Sequence, residues 1–226
     1  MLSSAGCGRS GYGGRRILVN CILAMFLALV PFAVWAGSLR ILMLGDSLSA
    51  GYGLPPADAL PAQLEARLKA DGFDVVVING GVSGDTTAGG VARLDWVLAD
   101  RPQFALVELG ANDALRGLDP AEAERNLNRI LGGLAAAHVK TLLVGMRAPG
   151  NWGREYERAF DAIYPHLAEK YDVPLYPFIL DGVALDPALN QGDGLHPNAK
   201  GVAVIVARLA PVVESLLKSA ARSKEG

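Results

Sequence analysis

From Leu39 onward, short apolar runs alternate with longer stretches of helical period, and few folds accept that order. Alternating β and α units of this kind build an α/β sheet with parallel strands, because each helix carries the chain back across a sheet face. The candidate strands are Leu39–Leu44, Val75–Asn79, Phe104–Leu109, Thr141–Met146 and Val173–Phe178. They are near-continuous apolar runs, as expected of strands covered on both faces. The helices between them fall at Leu60–Ala70, Ala88–Ala99, Pro120–Ala137, Arg154–Tyr171 and Ala199–Ser219, each with an apolar stripe. Asp119-Pro120 marks one start, an N-cap followed by proline at the first helical position. With right-handed crossovers, five parallel strands lead to a three-layer α/β/α sandwich. No internal repeat or interdomain linker interrupts it, so residues 37–226 are expected to form one domain.

The first 36 residues have a different texture. Arg9, Arg15 and Arg16 precede the run Ile17 to Trp35, apolar except for Asn20, and the run ends at Ala36-Gly37. Basic, apolar and small residues in that order make a secretory signal, with cleavage expected after Ala36. The competing reading is an uncleaved anchor, since about 20 apolar residues span a bilayer. Cys7 and Cys21 both lie in this segment, so a mature chain would hold no thiol and no disulfide in an exporting compartment, periplasmic or secreted. In the last helix Arg208 and Glu214 interrupt any membrane-spanning reading. No stable membrane insertion is expected after cleavage, and a monomer is favoured. Lys and Arg number 21 against 23 Asp and Glu, with no block of either sign, which argues against a nucleic-acid partner.

In an open parallel sheet, ligands bind beyond the carboxyl ends of the strands. The segments that follow the strands are Gly45-Asp46-Ser47-Leu48-Ser49-Ala50-Gly51-Tyr52, Gly80-Gly81-Val82-Ser83-Gly84-Asp85-Thr86, Gly110-Ala111-Asn112-Asp113 and, after the fifth, Asp193-Gly194-Leu195-His196-Pro197. Acyl transfer needs a hydroxyl nucleophile, a base, an acid to orient the base, and donors for the oxyanion. Ser47 sits in a tight strand-to-helix turn, where Gly45 is expected to permit unusual backbone angles. His196 is the base, and Asp193, three residues earlier, can fix its tautomer. The backbone N–H groups of Ser47 and Gly84 and the side-chain amide of Asn112 are the candidate oxyanion donors.

These four blocks, in this order, resemble the GDSL, or SGNH, hydrolases, within them the bacterial periplasmic thioesterase I and arylesterase group. Ala111 stands where that pattern often has a second glycine. The similarity spans essentially the whole mature chain. It implies a flavodoxin-like strand order, a shallow site with no metal and no cofactor, and hydrolysis of small-molecule acyl esters or thioesters, aryl esters and lysophospholipids among them, through an acyl-serine intermediate. It further implies that the segment Ala114 to Asp119, including Leu115, closes over an acyl chain, and that Met146 to Trp152, with Met146, Pro149 and Trp152, lines the pocket.

Plainer readings stand beside these. A serine at this place often only caps a helix, Gly84 alone is a turn glycine and Asn112 alone an Asx-turn. Asp46, Asp85 and Asp113 are expected to take loop N–H groups and stay out of the chemistry. His138 and His166 are expected on the surface near helix ends, and the three histidines are too dispersed for zinc. Arg147 either contacts substrate or pairs with an acid. Two rival functions remain: a phosphate-cradling flavodoxin-like binding module, against which Asp46 and the lack of a Walker-type lysine argue, and an esterase for carbohydrate or cell-wall acetyl groups.

Overall fold

The structure, a computed structural model, describes residues 1–2 and 37–222. The predicted signal segment and its cleavage point at Ala36 therefore lie outside the described residues. Five parallel strands form one sheet in the order β2-β1-β3-β4-β5: β1 (Leu39–Gly45), β2 (Val75–Gly81), β3 (Phe104–Glu108), β4 (Lys140–Val144) and β5 (Leu175–Tyr176). This is the flavodoxin-like order, and its reversal lies between β1 and β3. The residues after these two neighbouring strands consequently meet at one crevice.

The helices are α1 (Ser47–Ala50), α2 (Leu60–Ala70), α3 (Thr87–Ala92), α4 (Leu94–Leu98), α5 (Ala111–Leu115), α6 (Pro120–Ala136), α7 (Arg154–Asp161), α8 (Ile163–Tyr171) and α9 (Ala199–Arg222). α2 packs on α9, while α6 packs on α3, α7 and α8, which gives a helical layer on either side of the sheet. α6 illustrates why. Asp119 accepts from the Ala121 N–H at 2.9 Å and Pro120 opens the helix, while Ala123, Leu127, Ile130, Leu131 and Leu134 recur at three-and-four spacing and are buried. Each such leucine or isoleucine is worth about 1.5–3 kcal/mol on burial.

β1 and β3 match the reading of strands covered on both faces, with every residue from Ile41 to Gly45 and from Phe104 to Glu108 buried. β2 departs from it: as an edge strand it leaves Val76 exposed. Three other expectations are corrected by backbone chemistry. The helix expected over Ala88–Ala99 breaks at Arg93, which leaves helical angles (φ −108°, ψ 7°) while its guanidinium bonds the carbonyls of Gly45 and Gly80. The helix expected over Arg154–Tyr171 breaks after Asp161, because Pro165 has no N–H to return to the Asp161 carbonyl. The fifth strand shrinks to Leu175–Tyr176, flanked by Pro174 and Pro177, which cannot donate to the ladder.

Candidate active site

Ser47 opens α1 directly beyond β1. Gly45 is needed there for space rather than for its backbone angles: it is not at positive φ, and a Cβ on it would fall 2.1 Å from Ser49 Oγ and 2.3 Å from Glu108 Oε2. Asp46 caps the helix, accepting from the Leu48 N–H at 3.1 Å, so the capping role that a serine often plays is taken by its neighbour.

His196 arrives from the far end of the chain. Its loop is fastened by an isolated bridge between Asn190 and Pro197, by Gln191 donating to the carbonyls of Tyr52 and Pro197, and by Asn198, whose amide donates to the carbonyls of Ala188 and Asn190. The Tyr52 ring lies against the imidazole, centroids 4.5 Å apart. His196 Nε2 is 2.9 Å from Ser47 Oγ and Nδ1 is 2.6 Å from Asp193 Oδ2. With Nδ1–H donating to the carboxylate, Nε2 is left to accept from the serine hydroxyl. Asp193 also accepts from the N–H groups of Leu195 and His196, at 2.9 and 3.0 Å. These donors and the imidazole push its pKa down to about 2.

Asn112 enters from α5, beyond β3. One of its amide hydrogens goes to Asp46 Oδ2 at 3.1 Å, and among the described residues no acceptor takes the second. Gly84 has φ +80° and its carbonyl is held by Arg116 at 2.8 Å; among the described residues no acceptor takes its N–H, nor that of Ser47. The second and third turns are tied by Asp113, which accepts from Thr87 N–H at 2.9 Å and Thr87 Oγ1 at 2.6 Å. Asp46 and Asp113 thus hold loop N–H groups as expected. Asp85 instead pairs with the Arg93 guanidinium at 2.7 Å, both side chains largely buried.

Behind Ser47 lie two buried carboxyls. Burial raises the Asp46 pKa to about 6, partly offset by the Leu48 N–H, Glu108, His196 and Asn112. Glu108 is pushed well above the usual carboxylate range, by burial first and then by the Asp46 charge. The sequence reading passed over Glu108. Its signal was there, a lone acid closing the apolar run Phe104-Ala105-Leu106-Val107.

A cavity of about 410 Å³ opens beside Ser47 and His196, lined by Leu115, Met146, Pro149, Phe178, Leu180 and Leu195 among others. Trp152 does not line it: its Nε1–H donates to the Ala114 carbonyl at 2.9 Å and its ring occupies the space over Gly117. Phe178 was read as part of a strand, and Pro177, which ends that strand, delivers it to the pocket. Arg147, exposed at the rim, has no acidic partner among the described residues and lies 5.3 Å over the Phe178 ring. His138 is exposed, and His166 is exposed beside Glu124 at 2.6 Å. Among the described residues no cluster of three or more His, Cys, Asp or Glu is placed to hold a metal ion, and no helix is long and apolar enough to cross a membrane.

Known proteins resemble this chain over most of its length. Thioesterase 1/protease 1/lysophospholipase L1 of Escherichia coli K12 is 45% identical over 175 residues, covering 77% of this chain and 82% of that protein. Esterase TesA of Pseudomonas aeruginosa is 38% identical over 197 residues, covering 87% and 98%. The structure of AlinE4, an SGNH-hydrolase family esterase, superposes with a TM-score of 0.68 at 51% identity, covering 80% of this chain and 97% of that one. Residues 43–204 match the GDSL-like lipase/acylhydrolase family. The chain belongs to that family and is a hydrolase of acyl esters.

Proposed function

We propose that Ser47 is the nucleophile of this hydrolase, His196 its general base and Asp193 the acid that orients and charges the base. The observation that carries the reading is the unbroken hydrogen-bond chain from Asp193 through His196 to Ser47 Oγ. As the hydroxyl attacks the acyl carbonyl, Nε2 takes its proton, and Asp193 stabilises the imidazolium. The carbonyl oxygen, now an anion, accepts from the N–H groups of Ser47 and Gly84 and from the second amide hydrogen of Asn112. Collapse passes the proton from His196 to the leaving group and leaves acyl-Ser47. Water, deprotonated by His196, then releases the acid.

The substrates are acyl esters and thioesters, aryl and lysophospholipid esters among them. The apolar cavity beside Ser47 supports an acyl chain over an acetyl group, with Leu115, Met146 and Pro149 as its contacts. Tyr52, Val82, Leu115, Leu118, Trp152 and Leu195 are exposed in the segments that follow the strands, an apolar rim suited to amphiphiles. The protein works after export, with residues 1–36 removed as a signal. No cofactor takes part.

Hydrolysis of p-nitrophenyl esters from acetate to long acyl chains, by exported protein with Ser47→Ala beside it, tests the reading. Activity in the parent with an optimum at an acyl chain longer than acetate, lost in Ser47→Ala, is the expected result. Equal rates in the two proteins would remove Ser47 from the mechanism, and an acetate optimum would favour acetyl esters. The mass of the same exported protein checks cleavage after Ala36.

A further inference from the structure

Glu108 ends β3 in the middle of the sheet, fully buried, and no step of the hydrolysis uses it. Its Oε2 accepts from Ser49 Oγ at 2.6 Å and, at 3.4 Å, from the Asp46 N–H. Its Oε1 is equally buried and finds no donor among the described residues. As a carboxylate oxygen it would bear an uncompensated desolvation cost. As the hydroxyl of a carboxylic acid, the same atom is a donor. The carboxyl that lies beside it is that of Asp46, whose own N–H reaches Oε2 and whose charge acts on Glu108.

Asp46 accepts two hydrogen bonds and has lone pairs left to accept another. Its Oδ1 takes the Leu48 N–H at 3.1 Å and its Oδ2 the Asn112 amide at 3.1 Å. The surrounding charged and titratable groups leave the pair to itself. Arg93 is committed to Asp85 and to the carbonyls of Gly45 and Gly80. Tyr164, from α8, gives its hydroxyl to the Leu109 carbonyl, and His196 faces Asp46 across the nucleophile turn. Gly45 is the residue that makes room for the Glu108 carboxyl.

We propose that Glu108 is a positioning residue: a neutral carboxylic acid that donates its Oε1–H to Asp46, and so fixes both the Asn112 amide and the start of the helix that carries Ser47. The direction of the shifts agrees, since burial and the Asp46 charge both favour the protonated Glu108. The protonation state stands independently of the Ser47 reading; only the kinetic consequence rests on it.

The infrared difference spectrum of full-length parent minus Glu108→Gln at pH 8 tests the protonation directly. A carboxylic-acid C=O band in the parent, absent in the variant, is expected. No such band means an ionised Glu108 and overturns the proposal whatever the activity. In kinetics, Gln can donate to Asp46 and accept from Ser49, so Glu108→Gln should keep kcat within about threefold. Its acid limb in kcat/KM should coincide with that of the parent, because no charge is removed; a shift of more than about half a pH unit overturns the neutral acid. Glu108→Leu, which has no donor, should lower kcat at least about tenfold with KM changed less than about threefold. A folded Glu108→Leu with the parent's kcat overturns the positioning role.

Should Glu108→Leu not fold, Asp46→Asn carries that arm. Its single acceptor oxygen cannot serve both the Leu48 N–H and Asn112, so kcat should fall at least about tenfold with KM held. Unchanged kcat there overturns the link from the carboxyl pair to Asn112. Failure of the Ser47 reading would appear separately, as activity retained in Ser47→Ala with the infrared result intact.

Discussion

Two aspartates flank the Ser47–His196 pair from opposite sides, and their environments push them in opposite directions. Asp193, in front, keeps its side chain 36% exposed and is ringed by two backbone N–H groups and the imidazole. It is held down to about 2. Asp46, behind, is completely buried against a second carboxyl and rises to about 6. A carboxylate supplied with donors in water is an anion at every working pH; one withdrawn into the core titrates. The front acid can therefore meet an imidazolium with full charge each time one forms, whereas the rear acid serves by geometry.

The hardest blow to this picture comes at the atom between the two acids. Ser47→Ala should lower turnover on a p-nitrophenyl ester by about 10⁴-fold or more, leaving only what the oxyanion donors and binding supply. Asp193→Asn should follow with a loss of about 10²–10⁴ at neutral pH, since the amide can neither fix the tautomer nor balance the charge. Asn112→Ala removes one oxyanion donor and should cost about 10²–10³ in kcat, roughly 2.7–4 kcal/mol. A loss below about tenfold at Asn112 would take it out of the site and cut the rear acid's link to the reaction.

The turn residues of this site, Asp46 as a loop anchor among them, were legible in the sequence and Glu108 behind them was not, for a physical reason. Ser47, Gly84, Asn112, Asp193 and His196 lie in turns between apolar runs, where small and polar residues stand out by contrast. Glu108 stands inside such a run, and what it touches depends on strand register, here Gly45 opposite Glu108. The fold divides likewise. Strand count follows from periodicity, and α2 matches its expected bounds, whereas the five expected helices become nine among the described residues, two by breaking and two as the short α1 and α5 in the turns. The breaks at Arg93 and Asp161 follow from one guanidinium reaching the strand ends and one missing N–H, which an apolar stripe does not register. The placement of Trp152 depends on a donor finding the Ala114 carbonyl across 38 residues of chain.

Stability against pH sharpens the contrast. Asp46 is raised from 3.8 to about 6 on folding. Its contribution is fully present below pH 3.8 and lost as pH rises through 6, because between those values the folded state holds the proton that the unfolded chain has released. Asn does not titrate. From pH 4 to pH 8 the unfolding free energy of the parent should therefore fall relative to Asp46→Asn, by up to about 3 kcal/mol. Urea unfolding of both proteins at the two pH values measures it. A difference that is constant with pH would mean that Asp46 does not take up the proton.

The front acid should behave oppositely and more weakly. Asp193 is lowered from 3.8 to about 2, so its contribution is present above 3.8 and lost as pH falls through 2. Both partners of the Asp193–His196 pair keep contact with water, and ions in that solvent screen them. Removing such a charge costs about 0–1 kcal/mol. Asp193→Asn at pH 7 should accordingly unfold within about 1 kcal/mol of the parent, with the gap narrowing further in 1 M salt. The same substitution is expected to cost turnover by orders of magnitude. A large loss of stability would make Asp193 a structural anchor of the His196 loop, and its kinetic effect would then be a consequence of that loop moving.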